Sequence, residues 1–295
     1  METSRIAETL GILKSEDALA VSEASFKESS LELAGSTIQM RTAGEGKPLL
    51  VLHGELGFPG WMNYHETLAV DRKLYAPSHP GYDQSDGIDW MMQVRDLAGW
   101  YLEALDDMDL KEIDVIGFSF GGWLAAEMAV MDPTKFRKLV LVAPMGVKPE
   151  EGEIYDIFLN LAPDYLKEAI HDSNSCDEFD LICPDEPSPE MLELWEVARE
   201  QSCKLGWKPY MYSLSLKHLL HRLKNLETLI VWGKEDKIVP IDAGRIYHES
   251  IPGSSIEVME NIGHRPEIEK PNEFTKLITC LLYTSDAADE RSSVD

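Results

Sequence analysis

Apolar runs of strand length alternate with helical patterns along most of this chain. The runs Lys47–Gly54, Ile113–Phe118 and Glu227–Gly233 are apolar through their centres and lack the polar face of a half-exposed strand. Such strands are typical of parallel sheets that are covered on both sides. Between them, apolar residues recur at helical spacing, as in Trp90–Met108 and Phe120–Met131. The alternation therefore predicts an α/β protein with a mostly parallel sheet and helices on both faces.

One long segment interrupts this alternation. Between Pro144 and Glu227 no strand pattern occurs, and helical patterns and prolines dominate. From Lys148 to Glu200, sixteen Asp and Glu stand against three Lys and Arg. We interpret residues 147–226 as a helical lid inserted over the carboxyl edge of the sheet. The core is then built from residues 28–146 and 227–279.

The two ends of the chain stand apart from this core. Residues 1–27 form a polar N-terminal segment. The stretch Cys280–Glu290, "CLLYTSDAADE", resembles the translation of a transposase adapter used in DNA library preparation. We expect residues 280–295 to be an adapter-derived artefact, so that the natural chain diverges near Thr279; the alternative is a genuine polar tail.

The acidic charge of the chain limits its partners. A formal net charge of −26 repels nucleic-acid phosphates and anionic lipid headgroups. We therefore expect a small-molecule substrate and neither nucleic acid nor membrane as a partner, and a homo-oligomer remains compatible. The N-terminus lacks the basic start and apolar run of a signal peptide, and no run of about 18 apolar residues occurs. These features predict a cytoplasmic protein.

Other residue groups indicate neither a metal nor an organic cofactor. The segment Asp172–Asp180 resembles a calcium-binding loop, but Asp177 stands where that loop needs glycine. His218 and His221 have no further ligands nearby in the sequence, and no dinucleotide-binding glycine pattern is present. None of the four cysteines forms a CxxC pair, and a large apolar core needs no disulfides, so we expect free thiols, with a Cys176–Cys183 bridge as the alternative. The four are Cys176, Cys183, Cys203 and Cys280.

The strongest chemical signal is "GFSFGGW", in which Ser119 is the centre of a Gly-x-Ser-x-Gly pattern. The pattern lies between a predicted strand and a predicted helix, which is the setting of a nucleophile elbow. Gly117, Gly121 and Gly122 supply the small residues that so tight a turn needs. The helix that follows would place its partial positive charge near the serine. The setting favours Ser119 as a nucleophile over a simple glycine-rich turn.

A serine nucleophile needs a base, and the base needs an orienting acid. Asp236 comes just after the strand Glu227–Gly233, with Glu235 as an adjacent rival. His264 lies in a loop after the last predicted strand, Ser254–Glu260. The order Ser119, Asp236, His264 is the order of triads built on a nucleophile elbow in an α/β sheet. We predict that His264 accepts the Ser119 proton and that Asp236 orients the imidazole.

The loop after the first buried strand, "LHGELGFPGW", is the expected second half of an oxyanion hole. One donor is predicted to be the N–H of Phe120, which follows the nucleophile, and the other the N–H of Glu55, with Leu56 as the alternative. His53 is interpreted as structural. Phe118, Trp61 and Trp123 are neighbours of these residues that either bind substrate or simply pack. The lid aromatics either line an acyl pocket or form the lid core: Trp195, Trp207 and Tyr210, with Met211.

Together, "LHGELG", "PSHPGYDQSD", "GFSFGGW", "VWGKEDKIVP" and "GHRPEIEKPNEF" resemble the α/β-hydrolase superfamily over about Ser29–Thr279. The HG-x loop and the inserted lid are most similar to the branch that contains epoxide hydrolases, haloalkane dehalogenases and meta-cleavage-product hydrolases. The first two use an aspartate nucleophile where this chain has Ser119, which argues against both. The resemblance implies an α/β-hydrolase fold with a mostly parallel eight-stranded sheet and a helical lid.

These observations predict a serine hydrolase that acts without a cofactor. We expect a small to medium, largely apolar ester or related carbonyl substrate and an acyl-enzyme on Ser119. Two alternatives remain at this point. One is hydrolysis of a carbon–carbon bond, as in meta-cleavage-product hydrolases, and the other is a non-catalytic ligand receptor on the same fold.

Overall fold

The computed structural model describes residues 25–284, and eight strands form one sheet in the order β1-β2-β4-β3-β5-β6-β7-β8. The strands are β1 Lys27–Leu33, β2 Ser36–Ala43, β3 Lys47–Leu52, β4 Arg72–Pro77, β5 Ile113–Phe118, β6 Phe136–Val142, β7 Glu227–Gly233 and β8 Ser255–Met259.

Helices of very different length connect the strands. The α-helices are α1 Asn63–Ala69, α2 Val94–Asp107, α3 Phe120–Met131, α4 Ala162–Ala169, α5 Phe179–Ile182, α6 Pro189–Gly206, α7 Leu216–Leu219, α8 Ile241–Ser250, α9 Pro266–Glu269 and α10 Pro271–Thr284. Short 3-10 helices occur at Pro133–Lys135, Ser173–Ser175 and Leu220–Leu223.

The pairing of the strands confirms the predicted mostly parallel sheet. β4, β3, β5, β6, β7 and β8 pair in parallel, and β1 and β2 are joined in antiparallel fashion to the β4 side. Parallel neighbours end at the same edge of a sheet. The loops that follow β3, β5, β7 and β8 therefore meet at one edge, and these loops carry Glu55, Ser119, Asp236 and His264.

The central helix α3 explains why its sequence is apolar on all sides. Every residue from Phe120 to Val130 is buried, because α3 packs between the sheet and its neighbour α2. A helix that is covered all round has no need of a polar face. The predicted bounds of this helix, Phe120–Met131, coincide with the observed ones.

The segment between β6 and β7 is helical, as the missing strand pattern predicts. Within residues 147–226 the structure has the helices α4 to α7, and its one β-contact is an isolated bridge between Gly146 and Tyr212 at the boundary of the segment. Helix α6 begins at a proline, and the hydroxyl of Ser188 accepts a hydrogen bond from the N–H of Met191 at its N-terminus. This cap and the proline are typical of a helix start.

The N-terminal strands β1 and β2 were not predicted from the sequence. β1 and β2 form a hairpin whose edge strand β1 alternates exposed and half-buried residues. A half-exposed edge strand has no continuous apolar run and therefore lacks the signal that marks the buried strands. The predicted polar segment 1–27 overlaps β1 at Lys27, and residues 1–24 of that segment lie outside the described residues.

The predicted artefactual tail begins inside the last helix. Residues 280–284 continue α10, and residues 285–295 lie outside the described residues. The carbonyl oxygens of Leu281 and Leu282 accept hydrogen bonds from Lys138 and Arg72. The origin of the tail stays a prediction.

Membrane-spanning helices, metal-binding groups and disulfide bonds were considered for residues 25–284. Within that range no helix combines the length and apolar character needed to cross a membrane. The same range has no group of three or more His, Cys, Asp or Glu side chains arranged to hold a metal ion. The four cysteines are free of disulfide bonds.

Candidate active site

Ser119 lies at the junction of β5 and α3 in a strained conformation. Its φ is 50° and its ψ is −110°, a region that costs a non-glycine residue about 1–3 kcal/mol. The flanking glycines let the backbones approach: a Cβ on Gly117 would lie 2.2 Å from the carbonyl oxygen of Gly121, and one on Gly121 would lie 2.3 Å from that of Leu52. The structure thus forms the strand–turn–helix elbow that the sequence predicts.

Ser119, His264 and Asp236 form a continuous chain of hydrogen bonds. Nε2 of His264 lies 2.8 Å from Oγ of Ser119, and Nδ1 of His264 lies 2.8 Å from Oδ2 of Asp236. The side chains of His264 and Asp236 are fully buried, and Ser119 is 3% exposed. This geometry allows His264 to accept the hydroxyl proton while Asp236 holds the other ring nitrogen.

The structure also shows which of the two adjacent carboxylates, Asp236 or Glu235, faces His264. Oδ1 of Asp236 accepts hydrogen bonds from the N–H groups of Ile238 (2.8 Å) and Val239 (3.0 Å), which fix the carboxylate toward His264. Oε2 of Glu235 instead accepts a hydrogen bond from the N–H of Ile262 at 2.9 Å. Glu235 therefore holds a loop together, and Asp236 is the acid that faces the imidazole.

The electrostatic surroundings of His264 favour its charged form. Burial lowers the pKa of His264, but the charge and hydrogen bond of Asp236, with a further contribution from Glu55, raise it above its ordinary value of 6.5. Arg265 acts in the opposite direction. An imidazolium formed during proton transfer from Ser119 is therefore stabilised where it arises.

The loop after β3 lies directly beside the nucleophile. A Cβ built on Gly54 would be 3.6 Å from Cβ of Ser119. The next residue, Glu55, is held by its carbonyl oxygen, which accepts a hydrogen bond from the hydroxyl of Ser202 on α6 at 2.8 Å. Phe120 is the first residue of α3. The two predicted oxyanion donors, the N–H groups of Glu55 and Phe120, thus belong to segments that adjoin Ser119, and their role stays a prediction.

His53 occupies a purely internal position. It is 4% exposed, its Nδ1 lies 2.7 Å from the carbonyl oxygen of Gly54, and its Nε2 accepts a hydrogen bond from the N–H of His79 at 3.0 Å. Burial lowers the pKa of His53 to about 3, so its ring is neutral. The contacts fit the interpretation of His53 as a structural residue that positions the start of the loop.

A cavity of about 380 Å³ lies between the loop after β3 and the helices α4 to α6. Its wall includes Gly54 and Arg265, which adjoin the site, but not the side chains of Ser119, Asp236 or His264. Most of its wall is apolar, with carboxylates and one arginine among the polar groups. The apolar lining comprises Leu56, Phe58, Pro59, Leu166, Leu181, Ile182, Met191, Leu194 and Trp195. The charged lining comprises Glu55, Asp83, Glu190 and Arg265.

The aromatic residues named from the sequence lie elsewhere. Phe118 packs in the core, with its ring centroid 5.3 Å from that of Tyr64, because alternate residues of β5 point to opposite faces of the sheet. Trp61 stacks on His65 at 4.7 Å. Trp123 lines a separate cavity of about 230 Å³. For these three residues the structure favours the packing alternative over a place in the cavity wall.

Of the lid aromatics, one lines the cavity and two pack within the lid. Trp195 lines the cavity beside the site. Trp207 and Tyr210 pack around Phe158, with ring centroids 5.5 Å and 5.7 Å from it. Met211 is fully buried.

Three groups at the site were missed by the sequence reasoning. The carboxylate of Glu55 points inward and accepts a hydrogen bond from the hydroxyl of Tyr165 on α4 at 2.5 Å. Arg265, the residue after His264, lines the cavity. The N–H of His264 itself donates to the carbonyl oxygen of Ala169 at the end of α4, at 2.7 Å. Glu55 was predicted for its backbone N–H alone, the only signal for Arg265 was its adjacency to His264, and Tyr165 had none.

Known proteins resemble this chain over most of its length. The sequence profile of the alpha/beta hydrolase family matches residues 49–277. The 2-hydroxymuconate semialdehyde hydrolase of Pseudomonas sp. (strain CF600) is 26% identical over 283 residues, which cover 86% of this chain and 93% of that protein. These matches confirm the resemblance that the motifs indicate.

Solved structures share the fold at low identity. The 2-hydroxy-6-oxo-6-phenylhexa-2,4-dienoate hydrolase from Rhodococcus sp. strain RHA1 superposes with a TM-score of 0.67 at 19% identity, covering 86% of this chain and 97% of that one. Naproxen esterase (carboxylesterase NP) from Bacillus subtilis superposes with a TM-score of 0.68 at 16% identity, covering 87% and 91%. At such identities the likeness shows the fold alone.

Proposed function

The chain belongs to the alpha/beta hydrolase family, and on that premise we propose that it hydrolyses a small to medium, largely apolar ester or related carbonyl compound through an acyl-enzyme on Ser119. The observation that carries this proposal is the buried hydrogen-bonded chain from Ser119 through His264 to Asp236. A serine hydroxyl is a weak nucleophile by itself, and this chain supplies the base and the orienting acid that activate it.

In the acylation half, Oγ of Ser119 attacks the carbonyl carbon of the ester. Its proton moves to Nε2 of His264, and the carbonyl π-electrons move to the oxygen, which becomes an oxyanion. The N–H groups of Glu55 and Phe120 are the proposed donors to that oxygen; one such donor is typically worth about 10²–10³ in rate. When the carbon–oxygen bond to the alcohol breaks, His264 returns the proton to the departing alkoxide.

In the deacylation half, a water molecule repeats the same steps on the acyl-enzyme. His264 accepts one proton of that water, the resulting hydroxide adds to the acyl carbon, and the bond to Ser119 breaks. His264 then returns the proton to Oγ of Ser119, and the free acid leaves. Asp236 stabilises the imidazolium in both halves without taking the proton.

The cavity supports an apolar substrate. Its volume of about 380 Å³ falls in the usual range for small-molecule sites, about 300–1,000 Å³. Side chains such as Leu166, Met191 and Trp195 offer an apolar wall. We assign the helical segment 147–226 the role of a lid, because its residues form much of that wall and also hold the site through Ser202 and Ala169.

A panel of p-nitrophenyl esters with wild type and Ser119→Ala tests the proposal. We expect measurable turnover of acetyl to hexanoyl esters by wild type and a loss of about 10³-fold or more in kcat/KM for Ser119→Ala. A fluorophosphonate probe should label folded wild type at Ser119 and leave Ser119→Ala unlabelled. Ser254→Ala changes a half-buried serine just before β8, at the sheet edge opposite Ser119; it serves as the matched control and should keep wild-type rates.

Unchanged ester hydrolysis in Ser119→Ala would refute the nucleophile assignment. Failure of the probe to label folded wild type, together with no turnover of any ester or diketone, would favour a non-catalytic receptor on this fold. The intact hydrogen-bonded chain disfavours that alternative, because a receptor has no need of a buried Ser119–His264–Asp236 arrangement.

A second candidate function is hydrolysis of a carbon–carbon bond in a dienoate. Two observations favour it: the name of the hydrolase from Pseudomonas sp. (strain CF600), and the guanidinium of Arg265 in the cavity wall, which is a suitable partner for a carboxylate. Turnover of 2-hydroxy-6-oxo-6-phenylhexa-2,4-dienoate, followed by its loss of visible absorbance, should be compared with that of the esters. The higher kcat/KM decides between the two reactions.

A further inference from the structure

Three successive carbonyl groups of the loop after β3 are each held by a buried side chain. Nε2 of His79 lies 3.1 Å from the carbonyl oxygen of His53. Nδ1 of His53 lies 2.7 Å from that of Gly54. Oγ of Ser202 donates to that of Glu55 at 2.8 Å. The backbone of this loop is thus fixed at three consecutive peptide groups, by donors from the loop itself, from the loop after β4 and from α6.

The hydrogen-bond partners decide which nitrogen of each histidine carries the proton. Burial lowers the pKa of His53 to about 3 and holds the pKa of His79 well below 6.5, so both rings are neutral and each has one N–H. Nε2 of His53 accepts from the backbone N–H of His79 at 3.0 Å, which leaves the proton of His53 on Nδ1, facing Gly54. A carbonyl oxygen can only accept, so the proton of His79 is on Nε2, and its Nδ1 accepts from the hydroxyl of Tyr101 on α2 at 2.6 Å. His53 is therefore fixed in the tautomer that donates to Gly54.

The hydrogen bond to Gly54 acts on the peptide group that carries the Glu55 N–H. The carbonyl of one residue and the N–H of the next belong to one planar trans peptide and point in opposite directions. Holding the carbonyl oxygen of Gly54 therefore fixes the direction of the Glu55 N–H. The same oxygen accepts a longer hydrogen bond from the N–H of Gly57, at 3.3 Å, so the bond from His53 is the shorter of the two.

Ser202 acts in the same way on the next peptide group. The carbonyl oxygen of Glu55 shares its peptide with the N–H of Leu56, which is the alternative oxyanion donor. The hydroxyl of Ser202 also lies 2.8 Å from that of Tyr82, which keeps it in place. The two candidate donors are thus oriented by different side chains, the Glu55 N–H by His53 and the Leu56 N–H by Ser202.

We propose that His53 is a positioning residue: its Nδ1–H orients the N–H of Glu55 toward the oxyanion that forms at Ser119. His79 and Tyr101 keep His53 in the tautomer and the place that this requires. The inference rests on the proposed ester hydrolysis and deepens it. Hydrogen bonds weaken steeply when they are misaligned, and a donor to an oxyanion acts by already pointing at the place where charge develops. Loss of the hold should therefore lower kcat rather than raise KM, since the oxyanion is absent from the bound ester.

Two substitutions of His53 separate the donor from the bulk of the side chain. His53→Leu removes the Nδ1–H, and we expect kcat per active site to fall by about tenfold or more, with KM changed by less than about threefold. His53→Asn places an amide N–H where the ring has Nδ1, and it should recover kcat to within about threefold of wild type. Active sites are counted by complete fluorophosphonate labelling of Ser119, so that loss of folded protein does not enter kcat.

Inhibition by a trifluoromethyl ketone adds a measurement that a merely structural role would not change. Oγ of Ser119 adds to the ketone carbon, its proton passes to Nε2 of His264, and the ketone oxygen becomes an oxyanion like that of the substrate. The Ki should rise in His53→Leu by about the factor by which kcat/KM falls, and it should stay near the wild-type value in His53→Asn. A residue that only supports the fold would reduce the number of active sites and leave Ki unchanged.

Two substitutions on α2 test the outer part of the arrangement. Tyr101→Phe removes the donor to Nδ1 of His79 and keeps the ring, and it should lower kcat by about threefold or more. Trp100→Phe is the matched control, because the indole N–H of this buried neighbour donates to the carbonyl oxygen of Ala34 in the turn between β1 and β2. It should change kcat per active site by less than about twofold. If His53→Leu does not fold, an unchanged kcat in Tyr101→Phe overturns the inference.

The remaining outcomes are separable from those of the proposed function. Equal kcat in wild type and His53→Leu would overturn the inference, as would a His53→Asn variant no faster than His53→Leu. A larger loss in Ser202→Ala than in His53→Leu would also overturn it, because the donor would then be the N–H of Leu56. In each of these cases ester hydrolysis that needs Ser119 still stands. Absence of both ester turnover and fluorophosphonate labelling in wild type would refute the proposed function and this inference with it.

Discussion

The substitution Asp236→Asn tests most directly how the site works. Oδ2 of Asp236 accepts the hydrogen bond of His264 Nδ1 at 2.8 Å, and both side chains are fully buried. Asparagine has the same shape, and its oxygen can keep the two N–H groups that now bond to Oδ1. Its NH₂ group then faces His264 and donates to Nδ1. The imidazole is forced to carry its proton on Nε2, where it can no longer accept the proton of Ser119.

The size of the effect follows from this change of tautomer. Loss of the base function with intact geometry costs about 10⁴-fold in kcat, which corresponds to about 5.4 kcal/mol of transition-state stabilisation at about 1.36 kcal/mol per factor of ten. Burial prevents water from replacing the lost acceptor. Folding should suffer much less, by about 1–2 kcal/mol, because the backbone contacts of the side chain are retained.

The assay is kcat and kcat/KM for the best p-nitrophenyl ester, with thermal unfolding to confirm that the variant is folded. Glu235→Gln is the matched control, since Glu235 only accepts a hydrogen bond from the N–H of Ile262 and an amide oxygen can replace that acceptor. It should change kcat less than about threefold. The reasoning is refuted if Asp236→Asn keeps more than about a tenth of wild-type kcat, or if Glu235→Gln loses as much as Asp236→Asn.

Three further outcomes are expected. In wild type, kcat/KM should fall on acidification with an apparent pKa above the ordinary histidine value of 6.5, because His264 must be neutral to act as a base. Glu55→Gln removes a charge that raises the pKa of His264, so the acidic limb of the pH profile should move to lower pH. An unmoved limb would contradict the assignment. Gly121→Ala should destabilise folding by about 3 kcal/mol or more in denaturant titrations, since its Cβ would lie 2.3 Å from a backbone oxygen. The control Gly253→Ala, whose Cβ would have nothing within 4 Å, should cost about 1 kcal/mol. Equal costs would show that steric overlap is not the cause. Asp114→Asn removes the fully buried negative charge that pairs with two arginines and should cost about 3 kcal/mol in unfolding free energy. The kcat/KM of the folded protein should be unchanged, because Asp114 lies near the opposite end of its strand from Ser119. A large loss of activity at low temperature would disprove that separation.

Much of the fold was accessible from the sequence because its signals are local. β5, β7 and the helix α3 have the predicted bounds, since each is a short apolar run that ends at a glycine or polar turn. β1 was not located because it is an edge strand with one exposed face. β2 was not located because polar residues interrupt its apolar ones, so neither strand forms a continuous apolar run. Helix α1 was missed as well; it is only seven residues long.

The residues of the candidate site also differ in how far the sequence identifies them. Ser119 was recognisable because the elbow imposes glycines within two residues of it, which is a constraint on the backbone itself. Asp236 could be narrowed only to a pair with Glu235, since both follow β7 and either carboxylate can orient a histidine. The direction of each side chain, which depends on loop contacts with Ile238 and Ile262, decided between them.

The sequence by itself determined the class of fold, the order of the nucleophile, acid and base, and the loop beside them, because these follow from apolar periodicity and from local backbone constraints. Only the tertiary structure decided what surrounds the nucleophile. Tyr165 and Glu55 are separated by 110 residues and meet because α4 packs over the sheet edge, and Phe118 is in the core because of the face on which its strand presents it. The register of strands and the packing of helices set these contacts, and no short stretch of sequence encodes them.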